Sequence, residues 1–207
     1  MFTECYRNRG RPASGGSPRH SLVRRRNPPF PTTFQQKPGL VCSRMMRGFE
    51  PMDGPERINT VTDHGCFGCG EENPIGLKLA FYRDGDRVKA TVTPRQEYEG
   101  YLSLTHGGVV ATMLDEAMSW AVISHGGRLP VTTRLEIQYR RAMPVGVEVD
   151  VFGEVVRDRG RIIEARAEIR DRDGALIASA TGSFVRVSQD RQRAWEARYL
   201  QPDQGNS

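Results

Sequence analysis

The stretch GGVVATMLDEAMSWAVIS, residues 107–124, constrains the fold more than any other part of this chain. Val109, Val110, Met113, Leu114, Ala117, Trp120 and Ala121 recur at steps of three and four, the period of a helix, and cover more than half of its circumference. A helix that is apolar nearly all round must be buried nearly all round. It needs an enclosure, and the flanking sequence alternates apolar and polar residues in the way strands do. Leu77, Leu79 and Phe81 alternate before an RDGD turn (83–86), and Val88, Ala90 and Val92 alternate until Pro94. Downstream, Val131, Thr133, Leu135, Ile137 and Tyr139 share one face. After the Pro144–Gly146 turn, Val147, Val149, Val151, Gly153 and Val155 share another. Ile163, Ala165, Ala167 and Ile169 follow, then an RDRDG turn (170–174) and a last strand from Ile177 to Val187. Two strands, one long helix and four strands predict an α+β domain: an antiparallel sheet wrapped around a central helix that runs from about Gly107 to Ser124.

Charge divides the chain unevenly. Residues 1–49 hold ten Arg or Lys against one acid, Glu4, so the net charge of +5 describes that segment and not the domain. Residues 1–56 read as a disordered basic extension rich in Pro, Gly and Arg. Order is expected over 57–188, and 189–207 reads as a charged C-terminal tail with one frayed helix around Arg193–Leu200. No apolar run approaches the 18 residues of a membrane span, and the start lacks the apolar core of a signal peptide. Four cysteines make no disulfide framework in a chain of this length, so a cytoplasmic setting is expected. The extension has no helical period of a DNA-reading module, so no specific nucleic-acid partner is expected.

The helix start carries the chemistry. His106 precedes Gly107 and Gly108, where the first helical amides have no intrahelical partner and the macrodipole adds positive charge. Glycines there let a ligand carbonyl oxygen approach those amides, as an oxyanion socket requires. Asp115 lies two turns on, about 10–12 Å along the axis. That is too far to serve the same carbonyl within one subunit. An antiparallel dimer would bring one subunit's Asp115 to the other's Gly107–Gly108. The residues alone also fit a plain turn before a helix with acids on it. An acid within so apolar a segment, however, needs partners for its burial.

THGGVVATMLDEAMSW (105–120), preceded by CFGCGEENPIGLKL (66–79) and followed by TTRLEIQYRRAMPVG (132–146), resembles the hotdog-fold acyl-CoA thioesterases of the phenylacetate-pathway, PaaI-like type. The resemblance covers about residues 64–187. It implies a homodimer or dimer of dimers with active sites at the interface, and hydrolysis of an acyl-CoA thioester. It implies no metal and no separate cofactor, coenzyme A being part of the substrate. On this resemblance His106 and Gly107 fall on the pair that polarises the thioester carbonyl. Asp115 falls on the catalytic acid, a nucleophile or a general base, and Thr132 on a water-orienting hydroxyl. Some relatives carry an Asn six residues before the histidine. Gly100 stands there, with Gln96, Glu99 and Ser103 as the nearby polar residues.

Arg140 and Arg141, ending a strand before a turn, are candidates for the coenzyme A phosphates, against the alternative of an ordinary solvated strand end. Val109, Met113 and Trp120 are candidates to line an acyl tunnel, against the alternative of plain core. Cys66 and Cys69, with His64 nearby, offer three metal ligands where a structural zinc wants four. They read instead as small buried residues beside the substrate entrance. His125 has no evident partner, and HGG at 125–127 reads as a turn closing the helix. Two other functions are open. A hotdog hydratase or dehydratase needs a paired acid and histidine, and the one nearby histidine precedes the glycines. An acyl-CoA-binding sensor with its basic tail on nucleic acid needs a folded DNA-reading module, and residues 1–56 show no helical period.

Overall fold

The computed structural model describes residues 55–126 and 128–200. Residues 1–54 of the basic extension, Gly127 and the last seven residues of the tail lie outside the described residues. Strands β1 (Tyr82–Asp84) and β2 (Arg87–Val92) form a hairpin, with Gly85 at φ +62° in its turn. A short hairpin, β3 (Glu99–Tyr101) and β4 (Leu104–Thr105), leads into helix α1 (Gly107–Gly126). Four long strands follow: β5 (Pro130–Tyr139), β6 (Val149–Asp158), β7 (Ile162–Asp171) and β8 (Leu176–Arg186). Helix α2 (Gln189–Tyr199) closes the domain. Six strands make one antiparallel sheet in the order β1-β2-β6-β7-β8-β5.

The sheet encloses α1 as its composition requires. Met113, Leu114, Ala117 and Met118 have no exposed surface, and they pack with Val88, Val151, Ile163, Ile169 and Phe184. Burying each large side chain stabilises the fold by about 1.5–3 kcal/mol. The closest approach is at Gly153 on β6, where a Cβ would lie 2.2 Å from the Ala117 carbonyl oxygen. Only glycine lets the helix backbone rest on the strand there.

Three local features depart from the sequence reading. Leu77, Leu79 and Phe81 are buried as expected, but Lys78 takes φ 56° and the segment does not join the sheet. Its amides instead reach the carbonyls of Phe67 (from Leu77, 2.7 Å) and Gly68 (from Leu79, 2.9 Å). On β5 a bulge between Thr132 and Arg134 inserts one unpaired residue, which reverses the alternation. Thr132 and Tyr139 therefore both reach α1, and Val131 and Thr133 do not share the face of Ile137 and Tyr139. Helix α2 begins at Gln189, four residues earlier than the sequence suggests. Gln192 is buried, the Tyr199 ring meets His64 edge-on at 5.0 Å, and Arg198 reaches Asp63 at 3.5 Å and Glu72 at 3.7 Å. Among the described residues no helix is long and apolar enough to cross a membrane.

Candidate active site

His106 caps α1. Its carbonyl accepts the amides of Val109 (2.9 Å) and Val110 (3.1 Å), and its Nδ1 accepts the Gly108 amide at 2.9 Å. That bond assigns the proton of a neutral imidazole to Nε2. The two glycines therefore differ. The Gly108 amide is already used, whereas no hydrogen bond in the described residues takes the Gly107 amide. A Cβ at Gly107 would make only ordinary contacts, the nearest 3.7 Å away at the Tyr139 hydroxyl, so the protein's own packing does not demand glycine there.

Tyr139, which the sequence placed only as a strand residue, donates its hydroxyl to the Gly107 carbonyl at 2.8 Å and ties β5 to the helix start. No motif marked it, because the bulge that turns it inward is invisible in the alternation. A Cβ at Gly100 would lie 2.9 Å from His106 Cα, so His106 sits on bare backbone where some relatives carry Asn. Gln96, Glu99 and Ser103 do not reach in to replace it. Glu99 accepts from both the Gln96 side chain and the Ser103 amide.

Asp115 points to β5, where the Thr132 hydroxyl donates to its Oδ1 at 2.9 Å. Burial raises its pKa above the ordinary carboxylate value, and the Thr132 bond opposes that shift. The structure thus joins Asp115 to Thr132, and His106 to the helix start, as two separate clusters along one helix.

Val109 and Trp120 belong to neither. At about 100° per residue they lie within roughly 40° of Glu116 and far round the helix from Asp115. Val109 is half-buried against the core. Trp120 is buried, stacks on Phe81 with ring centroids 6.3 Å apart, and donates Nε1–H to Glu116 Oε1 at 3.1 Å. It borders a cleft of about 320 Å³ formed with Arg57, Ile58, Thr60 and Leu200, away from Thr132. Met113 is fully buried core. Arg140 and Arg141 are exposed just past Tyr139, so they stand at the end of the domain that holds the helix start. Arg140 donates to Gln138, and Arg141 lies 3.7 Å from Asp171. His125, at the far end of the helix, does have a partner, Asp158 at 3.5 Å.

Glu116 lies under the loop that carries the cysteines. Cys66 Sγ is 3.8 Å from Glu116 Oε1, and a Cβ at Gly68 would come within 2.4 Å of the carboxyl carbon. Burial is the main cause that pushes the Glu116 pKa up to about 7. The Cys69 thiol and the amides of Cys69 and Gly68 hydrogen-bond to Cys66 and lower its pKa, and the same thiol pair with burial raises that of Cys69. His64 stands apart from this group. Its Nε2 meets the Val61 carbonyl at 3.1 Å and its Nδ1 accepts the Cys66 amide at 3.3 Å.

Residues 102–178, which span both helix ends and Thr132, match the sequence profile of the thioesterase superfamily. The chain is 30% identical over 121 residues to the acyl-coenzyme A thioesterase THEM4 of Xenopus laevis, covering 56% of this chain and 54% of that protein. To THEM4 of Bos taurus it is 28% identical over 126 residues, covering 59% and 51%. The chain thus spans about half the length of the curated relatives it matches. A solved thioesterase superfamily protein aligns with a TM-score of 0.52 at 30% identity, over 56% of this chain and 60% of that one. Two more distant structures share the fold. The smu.793 protein of Streptococcus mutans, solved with acetyl CoA, has a TM-score of 0.51 at 19% identity over 57% and 95% of the chains. The E. coli PaaI protein has a TM-score of 0.50 at 19% identity over 54% and 81%. With the enclosed helix and antiparallel sheet in place, the domain has the hotdog fold of PaaI, and its residues 102–178 carry the sequence profile of the thioesterase superfamily.

Proposed function

We propose that the domain hydrolyses an acyl-coenzyme A thioester at sites shared between two subunits. The observation that carries this reading is the separation of a free amide at Gly107 from the acid pair Asp115–Thr132. The two groups lie about 12 Å apart along α1, too far to act on one carbonyl in one chain. Strand β5 ends the sheet, and its outer edge has no partner among the described residues. Val131, Leu135 and Tyr139 are exposed along it. An open edge with apolar side chains favours pairing with a second copy. Two-fold pairing of β5 with β5 brings the Asp115 of one subunit toward the helix start of the other. The names of the curated relatives and the acetyl CoA bound to the S. mutans protein support the substrate class.

The thioester carbonyl accepts the Gly107 N–H, and the helix dipole favours the oxyanion that forms there. Asp115 of the partner subunit removes a proton from water, and the water oxygen bonds to the carbonyl carbon. Collapse breaks the carbon–sulfur bond, and the thiolate leaves with the proton that Asp115 held. In the covalent variant an Asp115 oxygen attacks the carbonyl carbon, the carbon–sulfur bond breaks and the thiolate leaves as the anhydride forms, and water then cleaves the anhydride. A single turnover in ¹⁸O water identifies the covalent route when water attacks the aspartyl carbonyl, because only that path places label in the aspartate and carries ¹⁶O from Asp115 into the acid. In this reading Arg140 and Arg141, past the end of β5, pair with the coenzyme A phosphates.

The test is thiol release from a panel of acyl-CoAs by the wild type, by Asp115→Asn, and by Gly107→Pro. Proline at the first helical position removes that amide at little cost to the helix. Each variant alone should be nearly inactive, and mixed subunits should regain activity because one of the two sites in a mixed dimer is intact. No thiol release from a folded dimer removes the hydrolase reading and leaves an acyl-CoA-binding role.

A further inference from the structure

We infer that Cys66, Cys69 and Glu116 form a binding site for a zinc-class divalent cation, distinct from the Asp115–Thr132 pair. The inference does not depend on the thioesterase reading. One ligand atom from each residue lies within 4.8 Å of the others, and the Cys66 Sγ to Glu116 Oε1 distance is 3.8 Å. Tetrahedral bonds of about 2.3 Å to sulfur and 2.0–2.2 Å to oxygen hold ligand atoms roughly 3.5–3.8 Å apart. A cation therefore requires a contraction of about an ångström or less. Two sulfurs select a borderline-soft metal over calcium or magnesium.

The surroundings are built to hold this arrangement. The Cys66–Gly70 loop lies directly on the carboxyl, and Gly68 and Gly70 are where side chains would collide. A Cβ at Gly70 would lie 2.0 Å from the His64 carbonyl oxygen, and one at Gly68 2.4 Å from the Glu116 carboxyl. Glu116 is partly buried, takes a hydrogen bond from the Trp120 indole N–H and lies against the two thiols and the neighbouring Asp115, and among the described residues no Lys, Arg or His pairs with it. A partly buried carboxylate of that kind lacks the positive charge that a divalent ion supplies. Tyr199 and Arg198 of α2 clamp the loop from outside through His64 and Asp63, so the ligands are positioned in advance. Cys66 is half-exposed and gives the ion a way in. Binding releases the two thiol protons, and any proton on Glu116, to solvent. Three protein ligands leave a fourth position for water.

The test uses the full chain, reduced with a phosphine and stripped of metal, and titrated with Zn²⁺ and with Co²⁺. We expect one equivalent per chain, a thiolate-to-cobalt charge-transfer band, and competition of Zn²⁺ for that band. Cys66→Ser/Cys69→Ser should abolish the band, and Cys5→Ser/Cys42→Ser should keep it. Glu116→Gln should weaken binding by ~10²-fold or more, since even losing a partner outside the ligand shell costs ~10–100-fold. Circular dichroism of each variant checks that the domain is folded. Absence of stoichiometric binding, or a band that survives Cys66→Ser/Cys69→Ser, overturns the inference.

Discussion

Asp115 and Glu116 stand side by side on α1, and the structure gives them different surroundings. Asp115 faces the edge strand β5, accepts one hydroxyl from Thr132, and lies beside an open sheet edge. Glu116 is turned by about 100° and is closed over by the cysteine loop and the Trp120 indole. One residue along a helix is enough to move a carboxylate from an edge, where a second molecule can reach it, to a lidded cluster of sulfur. The sequence shows both acids as one DE pair, and the fold assigns them separate neighbours.

The largest expected effect separates the two faces directly. Asp115→Asn should lower turnover by ~10²-fold or more and leave the cobalt charge-transfer band in place, because it removes a charge and keeps the Thr132 bond. Loss of both signals together would show that the two acids act as one unit. Next is Gly68→Ala, which drives a methyl group into the Glu116 carboxyl. It should destabilise the domain by about 1–3 kcal/mol in urea unfolding. An unchanged midpoint would show that the loop is looser than its geometry implies. Thr132→Val keeps the shape of the side chain and should reduce kcat by ~10-fold with little change in KM, since it deletes only the hydroxyl. A rise in KM alone would make Thr132 a binding group.

The smallest effect is a control far from both acids. Arg186 holds the Asp158 pKa down to about 2, below its ordinary value of 3.8. A lowered acid pKa contributes stability above pH 4, and that contribution is lost as the pH falls toward 2. Arg186→Gln should flatten the acid limb of a stability–pH curve slightly, and added salt should do the same to the wild type. An acid limb that stays unchanged would assign it to other carboxylates.

Much of this architecture was legible because the signals were long. The apolar run of α1 forced an enclosing sheet, and the period-two stretches from Val88 onward became ladder strands. The site was legible in its parts: His106 and the glycines at a helix start, Asp115 inside an apolar helix. Thr132 came through the family resemblance and not through spacing. What stayed hidden was set by contacts distant in sequence. The close packing of Glu116 under Gly68 joins residues 48 positions apart, and no periodicity reports such a contact. The grouping of Val109 and Trp120 away from Asp115 could have been read by counting turns, since roughly 100° per residue already separates them. Lys78 breaking an apparent strand could not, because a lysine at φ 56° carries no local signature.

The bulge on β5 also bears on which changes this protein can survive over evolutionary time. Thr132 and Tyr139 are an odd number of positions apart, and they meet the same helix only because one extra residue sits between them. A substitution in that interval alters one side chain. Inserting or deleting a single residue there would leave every functional group in the chain and still turn one of the two away from the helix. The number of residues between them is therefore inherited information in its own right, as much as the identity of any one of them.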